Sequence, residues 1–388
     1  MPFKNRYAEL LPEITAWRQD FHRHPELLYE VHRTAATVAD LLRGFGCDEV
    51  VTGIGRTGVV GVIKGKTTQS GRVIGLRADM DALPIHEITG LDYASETPGM
   101  MHACGHDGHT AMLLGAAKYL CETRSFDGTA VVIFQPAEEG GAGARTMCQD
   151  GLMDRFGIQE VYGMHNAPGL PVGHFAICPG ALLASADEFE IKVTGKGGHA
   201  ANPHEAVDTT LVAAQILIAL QTIVSRNVNP LKRVVVTVGT FNTDSNASNI
   251  IAHEVVMKGT VRTLDGEYRA IAETRIREIA QGTATALGAV AEVTWETGYP
   301  VTMNTPEHTV YAAEVARAVG TRVDDNVDPI MPAEDFAFML QERPGAYIFC
   351  GNGNTAQCHH PAYNFDDEAI PFGSSWYSGM IEARMPLS

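Results

Sequence analysis

Apolar positions in the first 180 residues follow two spacings, one typical of helices and one typical of buried strands. Side chains at intervals of four, three and four predict a first amphipathic helix: Leu10, Ile14, Trp17 and Phe21. Short runs rich in β-branched residues predict strands at 59–63, at 73–76, at 131–134 and up to residue 162. Further helices are expected at about 30–45 and from about residue 106. Strands that alternate with helices indicate an α/β sheet with helices on its faces.

The pattern changes near residue 184 to strand, helix, strand, strand, helix, strand, which is the order of a ferredoxin-like domain. The predicted strands are 189–193, 234–238, 255–261 and 290–295, and the helices are about 206–226 and 266–287. The α/β pattern then resumes with a helix at 306–319 and a strand at 347–349. We therefore expect an α/β domain with a central, mostly parallel sheet, formed by 1–183 and 300–388. A ferredoxin-like (βαββαβ) domain, 184–299, is inserted into it.

Composition excludes several classes of protein. The 388 residues carry a net charge of −17, so clustered Lys and Arg for non-specific nucleic-acid binding are not expected. The share of charged residues, 19%, against 45% hydrophobic ones argues against disorder. The N-terminus has no apolar signal region, and the longest apolar stretch, 211–220, contains Gln215 and is too short to cross a bilayer. Seven irregularly spaced cysteines do not resemble a disulfide framework, so we expect a cytoplasmic protein with no membrane or nucleic-acid partner.

Residues that can carry chemistry lie where predicted strands end. These segments are Asp79-Met80-Asp81, 135–139 with two glutamates, 163–166 with His165, and 358–361 with Cys358, His359 and His360; HACGHDGH (102–109) precedes a predicted helix. Each feature alone is ordinary, because adjacent glutamates are usually solvated and a single Cys or His is usually structural. The carboxyl ends of strands in an open α/β sheet form one crevice, however. The joint occurrence of these Cys, His, Asp and Glu residues at strand ends predicts a metal site at that edge.

Several segments in this order resemble the M20 metallopeptidase family. They are RHPE (23–26), RADMDALP (77–84), HACGHDGH (102–109), QPAEEGGAGA (135–144), GMH (163–165), GKGGHA (195–200), AEDF (333–336) and HHPAYNFDDE (359–368). Within that family the chain is most similar to the branch of hippurate hydrolases, N-acyl-amino-acid amidohydrolases and auxin-conjugate hydrolases.

The resemblance implies two divalent metal ions per subunit, with Zn, Mn, Co and Ni all compatible with the ligand types. The matching ligands are Cys104, His106, Glu139, His165 and His359. His359 is preferred because the family's histidine stands two residues before the proline, here Pro361, and His360 is the alternative. In the family, the first glutamate, here Glu138, moves the proton of the attacking water.

The resemblance also suggests supporting residues. Asp81 is expected to orient a ligand or the water, His109 to support a ligand, and Asp79 has no assigned role. The inserted domain is expected to serve as lid and dimerisation module in a homodimer or a dimer-based tetramer, with His199 reaching the neighbouring subunit's site. Asn249 and Arg262 match the family residues that hold the substrate's carboxylate or amide.

These features favour a metal-dependent amidohydrolase that cleaves N-acyl amino acids, with hippurate-like aromatic acyl groups first. N-acetyl amino acids, N-acetyl-diaminopimelate and indole-acetyl conjugates are the alternative substrates. Two rival classes remain: a hydrolase with Cys104 as nucleophile and His106 or His109 as base, and a metal-dependent ligand-binding protein without catalysis. Activity that survives chelation but not thiol reagents would indicate the first rival, and a missing base or ligand would indicate the second.

Overall fold

The computed structural model of the protein describes residues 5–387, which divide into two compact units. The first unit contains the described residues up to Leu182, Met303–Asp328, and those from Asp335 onward. The second unit contains Leu183–Thr302 and Pro329–Glu334. Each unit has its own cluster of buried apolar side chains.

The first unit is an α/β layer structure. Before the insertion its elements are α1 (Asn5–Arg23), α2 (His32–Phe45), β1 (Glu49–Ile54), β2 (Gly58–Lys64), β3 (Val73–Asp79), α3 (His106–Thr123), β4 (Thr129–Gln135), α4 (Gly143–Gln149), α5 (Leu152–Arg155), β5 (Glu160–Ala167), β6 (His174–Ala176) and β7 (Gly180–Leu183). The insertion supplies β8 (Ser185–Thr194), β9 (Gly198–His199), α6 (Thr209–Thr222), β10 (Val234–Thr243), β11 (Ile250–Ile251), β12 (Glu254–Thr263), α7 (Gly266–Ala286) and β13 (Val290–Thr297). After it come β14 (Thr302–Asn304), α8 (Pro306–Val319), β15 (Arg322–Asp324), α9 (Ala337–Glu342), β16 (Gly345–Gly351) and α10 (Ile370–Arg384).

The main sheet has the order β1-β2-β4-β3-β5-β16-β6-β15 among the described residues. Its centre is parallel, because β3 pairs in parallel with β4 and β5, and β16 pairs in parallel with β5. Asp79 is the register partner of Gln135, and His165 is the partner of Phe349. The ends of four adjacent strands therefore lie at one edge of the sheet, which is where the sequence predicted the chemistry.

Two buried helices support that edge. α3 starts at His106, directly after the left-handed Gly105, and is buried along most of its length. α10 packs on α3 and is also buried along most of its length. Because α3 is embedded in the core, the position of His106 at its first turn is fixed by packing.

The second unit has the predicted strand order. Its four-stranded antiparallel sheet runs β10-β12-β8-β13, and α6 and α7 pack on it. Asp208 and Asp265 cap these two helices by accepting backbone N–H groups of the first turn. Together with the mostly parallel sheet of the first unit, this confirms the predicted α/β class with an inserted βαββαβ unit.

The boundaries of the inserted unit differ from the predicted 184–299. Pro329–Glu334, which the prediction gave to the catalytic domain, belongs to the second unit. The reason is local pairing: Ile330 forms a bridge with Leu183, and the amide of Ala184 donates to the carbonyl of Pro332 at 2.9 Å. A boundary set by such pairs has no signal in the hydrophobic pattern.

The apolar helix of the second unit is longer than the stretch 211–220 suggested. α6 continues through a π-helical turn, so that Thr209–Asn227 is long and apolar enough to cross a membrane by length and composition. One face of α6 is packed inside the unit, with Val212, Ile216 and Leu220 buried. The length and composition of α6 fit a helix packed on a sheet as well as they fit a membrane-spanning helix. In the structure, α6 is packed on the sheet of the second unit.

Candidate metal centre

The five predicted metal ligands and Glu138 lie together in the first unit. Potential ligand atoms lie within 4.8 Å of one another in three overlapping groups: Cys104 with His106 and His165, Cys104 with Glu139 and His359, and His106 with Glu138 and Glu139. Sγ of Cys104 is 3.4 Å from Nε2 of His165, and Nε2 of His359 is 3.1 Å from Oε1 of Glu139. Residues up to 255 positions apart in the chain thus form one cluster of thiol, imidazole and carboxylate groups.

Two of the histidines present Nε2 to this cluster because their Nδ1 atoms are occupied. Nδ1 of His106 donates to the carbonyl oxygen of Asp81 at 2.8 Å, and Nδ1 of His165 donates to that of Asn166 at 2.7 Å. Nε2 of His106 is buried and has no hydrogen-bond partner within residues 5–387. Its nearest charged contact is Oδ2 of Asp79 at 3.7 Å, and a buried ring nitrogen without a hydrogen bond, surrounded by soft and borderline ligand types, fits a bound metal cation.

Asp81 holds the two glutamates through their backbone. Its Oδ1 accepts the N–H of Glu138 and its Oδ2 accepts the N–H of Glu139, both at 3.0 Å. The preceding residue, Ala137, has a left-handed φ of 55°, a conformation that costs a non-glycine residue about 1–2 kcal/mol. The carboxylate bonds offset this strain and direct two adjacent side chains into the cluster.

His109 has both ring nitrogens engaged by protein groups. Nδ1 donates to Oδ1 of Asp79 at 2.6 Å, and Nε2 accepts the backbone N–H of Asn166 at 2.9 Å. This arrangement agrees with a supporting role for His109 and gives Asp79, left unassigned by the sequence, the role of orienting that ring.

Asn166 is a residue that sequence reasoning missed. Its side-chain amide donates to the carbonyl of Cys104 at 2.6 Å and accepts from the hydroxyl of Tyr363 at 2.9 Å. Gly105 has a φ of +90°, and a Cβ there would collide with Asn166 and Tyr363, so the turn requires glycine. The one available signal was that Asn166 directly follows His165 at the end of a strand.

The structure brings His359, and not His360, into the cluster. His359 has a left-handed φ of 67°, and its amide donates to the carbonyl of Ala103 at 2.7 Å. Nδ1 of His360 instead accepts the amide of Ala362 at 3.0 Å; both histidines are exposed, so their contacts and not their burial distinguish them. The unusual backbone of His359 is the feature that turns its ring towards Glu139.

Charges in the cluster favour a bound cation. The Glu139 carboxylate raises the pKa of His359. Burial alone would lower the pKa of His106, but Asp79 and Asp81 raise it well above its usual value. Carboxylates thus attract positive charge to the ring nitrogens, as expected where a metal ion is the natural positive charge.

The remaining predicted residues lie in the second unit. His199 on β9 pairs with Ile250 on β11, and the amide of Ala200 donates to the carbonyl of Asn249 at 3.0 Å, so His199 and Asn249 are close neighbours with exposed side chains. Arg262 lies on β12, and its half-buried guanidinium donates to the carbonyl of Val261 at 3.1 Å. Burial lowers the pKa of Arg262.

Comparisons of sequence and structure find similar proteins over most of the chain. The profile described as Peptidase family M20/M25/M40 matches residues 75–383. The chain is 42% identical to hippurate hydrolase of Campylobacter jejuni over 95% of this chain and 96% of the other. It is 43% identical to N-acetyl-L-cysteine deacetylase of Bacillus subtilis over 94% and 86%. The solved YXEP protein of B. subtilis, described as a dinuclear metal binding peptidase of family M20, has a TM-score of 0.85 at 35% identity and 97% and 99% coverage.

Proposed function

Because this chain belongs to peptidase family M20/M25/M40, in which its relatives hydrolyse the amide bonds of acyl amino acids, we propose that it is an N-acyl-amino-acid amidohydrolase with hippurate-like substrates. The observation that carries the proposal is the buried Nε2 of His106, which has no hydrogen-bond partner among residues 5–387 and lies among Cys104, Glu139 and His165. We propose that these residues and His359 hold two divalent cations per subunit, which are Zn, Mn, Co or Ni. Cations bound in such a site polarise the scissile carbonyl and activate water.

We propose Glu138 as the residue that moves the proton. It is buried, and its carboxylate accepts a long hydrogen bond, 3.4 Å, from the amide of Asp335. Its backbone N–H is held by Asp81, and in the proposed mechanism its carboxylate takes a proton from water and delivers it to the leaving nitrogen. Glu139, whose backbone N–H the same carboxylate accepts, has Oε1 3.1 Å from Nε2 of His359, which supports the proposal that it is a ligand.

A cysteine-nucleophile mechanism is less consistent with the site. Hydrogen bonding with Cys358, burial, and the charges of Glu139 and Glu138 raise the pKa of Cys104 well above its usual value. Because the thiolate is the nucleophilic form, such a thiol is a poor attacking group. The same thiolate is stabilised when it is a metal ligand.

The candidate substrates share an amino-acid part and differ in their acyl group. Arg262 has the fork geometry for an amino-acid carboxylate, and we propose it for that contact together with Asn249 and His199. Hippurate-like compounds are the first candidates because the chain is similar to hippurate hydrolase of C. jejuni. The B. subtilis deacetylase is equally similar, so N-acetylcysteine is the second candidate. The two differ mainly in the size of the acyl pocket that they require.

A substrate panel with metal reconstitution tests this function. Stripped and reloaded enzyme is assayed with hippurate, N-acetylcysteine, N-acetyl-diaminopimelate and an indole-acetyl amino acid. We expect hydrolysis only after reloading and the highest kcat/KM for hippurate. A higher value for N-acetylcysteine would select the second candidate, and full activity after exhaustive chelation would refute the metal mechanism.

We further propose that the protein is a cytoplasmic homodimer associated through the inserted unit. All seven cysteines are free thiols, as is usual in a reducing compartment. Leu211 and Ile218 on α6 are 55% and 62% exposed, and β10 and β13 are open sheet edges. Sedimentation should give a dimer that L211K/I218K converts to monomer, whereas V310K, at an equally exposed position in the first unit, should stay dimeric. A dimeric double variant would rule out this face.

A further inference from the structure

Arg77 is a fully buried arginine near the carboxyl end of β3, and the function proposed above makes no use of it. A guanidinium inside a protein is stable only when carboxylates pair with it and its N–H groups are hydrogen-bonded. The charge of Arg77 is met by two buried carboxylates, Asp79 on its own strand and Asp335 near α9. The structure therefore contains a buried carboxylate–guanidinium–carboxylate group beside the metal centre.

The planar guanidinium fixes the directions of its contacts. Nη1 donates to Oδ2 of Asp79 at 2.8 Å, and Nη2 donates to Oδ1 of Asp335 at 3.0 Å. Nε donates to the side-chain oxygen of Gln135 at 2.8 Å, and the amide of Gln135 in turn donates to both carboxylate oxygens of Asp335. A lysine ammonium, which is a single point charge, cannot reproduce this fork.

A chain of hydrogen bonds that starts at Asp79, here called the ligand arm, leads to the proposed metal ligands. Asp79 accepts from His109 at 2.6 Å, and His109 accepts the backbone N–H of Asn166 at 2.9 Å. The side chain of Asn166 donates to the carbonyl of Cys104 at 2.6 Å. The arm therefore ends on the backbone of Cys104 and of the residue that follows His165.

A second set of contacts, which starts at Asp335 and is here called the base arm, leads to Glu138. The carboxylate of Asp335 is held by Arg77, by Gln135 and by the amide of Ala144 at 2.9 Å. The backbone N–H of Asp335 donates to Oε1 of Glu138 at 3.4 Å. The side chain of Asp335 thus fixes the backbone group that contacts the base.

We propose that Arg77 is a positioning residue. It holds the base Glu138 and the ligand pair Cys104–His165 at a fixed position relative to each other. The inference rests on the proposed function for the role of Glu138, whereas the ligand arm depends only on metal binding. The physical reason is that both arms start from the same rigid guanidinium, so a change at Arg77 displaces both carboxylates, whereas a change at one carboxylate acts on its own arm. Misplacement of a reacting group by about 1 Å is enough to cost up to about 10²-fold in rate.

The test compares R77K with R384K. Arg384 also pairs with a largely buried carboxylate of the same unit, Glu160, at 3.1 and 3.3 Å, but Glu160 begins β5 and lies at the opposite end of the sheet strand from His165. Both variants are loaded with Co²⁺ and measured for stoichiometry, absorption spectrum, thermal midpoint, kcat and KM. We expect R77K to bind Co²⁺ with the wild-type stoichiometry, to show a shifted visible spectrum, and to lose about 10- to 100-fold in kcat with KM changed less than about threefold. R384K should keep the wild-type spectrum and kcat.

A second variant separates the arms and covers a failure of R77K to fold. D335N keeps the backbone N–H but weakens the pairing with Arg77, so it should lower kcat while the Co²⁺ spectrum stays as in the wild type. An unchanged kcat in both variants, or an unchanged spectrum in folded R77K, would overturn the proposal, as would equal changes in R384K. If wild-type enzyme hydrolyses no N-acyl amino acid, the proposed function fails, and the spectra of R77K and R384K still decide the ligand arm.

Discussion

The carboxylate of Asp81 accepts the backbone N–H of Glu138 at 3.0 Å, so a buried carboxylate fixes the peptide group of the proposed base. Its second oxygen makes the same bond to the next residue. Because an asparagine offers one acceptor oxygen and directs an NH2 group at the other N–H, D81N removes one bond and opposes it with a donor. We expect roughly 10- to 100-fold losses in both kcat and metal affinity, measured by steady-state kinetics and metal titration. Wild-type values of both quantities would contradict this role of Asp81.

The two adjacent glutamates should respond differently to substitution. E138Q removes the proton carrier and is expected to lower kcat by about 10²–10⁴-fold with metal content unchanged. E139A removes a carboxylate 3.1 Å from His359 and should lower metal occupancy instead. Elemental analysis of both proteins beside their kinetics checks the assignment. A metal-depleted E138Q with a fully loaded E139A would exchange the two roles.

The adjacent histidines provide a matched pair of variants. His359 lies in the cluster, whereas His360 caps a local turn through the amide of Ala362. H359A is therefore expected to weaken metal binding by at least about tenfold, while H360A should stay within about twofold of the wild type. Competition with a chromophoric chelator measures both affinities. The opposite order would make His360 the ligand.

His22 should make stability depend on pH. Burial would lower its pKa, but Asp107 at 2.8 Å and Glu87 at 3.3 Å raise it to about 9. A raised pKa contributes stability below the unfolded value of about 6.5, and this contribution is lost as pH rises through 9. The free energy of unfolding in urea should thus fall by about 3 kcal/mol more between pH 6.5 and 9 in the wild type than in H22Q. H32Q, at an exposed histidine, should keep the wild-type slope, and equal slopes in wild type and H22Q would contradict the ion pair.

The hydrophobic pattern predicted the elements that carry the site, because strand-end polarity and strand periodicity are local signals. The ends of β3, β4, β5 and β16 were each marked by polar residues after an apolar run, and parallel pairing places them together. The βαββαβ order of the insertion was also readable, because two runs rich in β-branched residues, now β10 and β12, separate α6 from α7.

The sequence did not predict α10 or the buried polar network. α10 is buried along most of its length, so its apolar side chains show no period of 3.6 against a polar face. The contacts of Arg77 with Asp335 and of His109 with Asn166 join residues 258 and 57 positions apart, and only the folded topology sets them. Sequence motifs identified the residue types of the metal centre, whereas the hydrogen bonds that orient them required the structure.

Completion of each site by the neighbouring subunit is the remaining expectation for His199. Hydrolysis develops negative charge on the former carbonyl oxygen, and a donor placed where that charge appears is worth about 10²–10³-fold. His199 has an exposed side chain at the end of the small residues Gly197 and Gly198, so its backbone can approach another molecule closely. H199A alone should therefore keep its metal and lose most of its kcat.

Mixing two inactive proteins decides whether His199 acts across the dimer. E138Q and H199A are combined under conditions that allow subunit exchange, which is followed separately by a mass label on one of them. If sites are completed between subunits, a hybrid dimer contains one site with an intact Glu138 and the partner's intact His199, and activity approaching half that of a wild-type site pair should return in the hybrid fraction. If each site is self-contained, every subunit carries one lesion and no mixture is active. Complete exchange without recovery would make His199 a residue of its own subunit's site or a structural one, and would remove the reason for an obligate dimer.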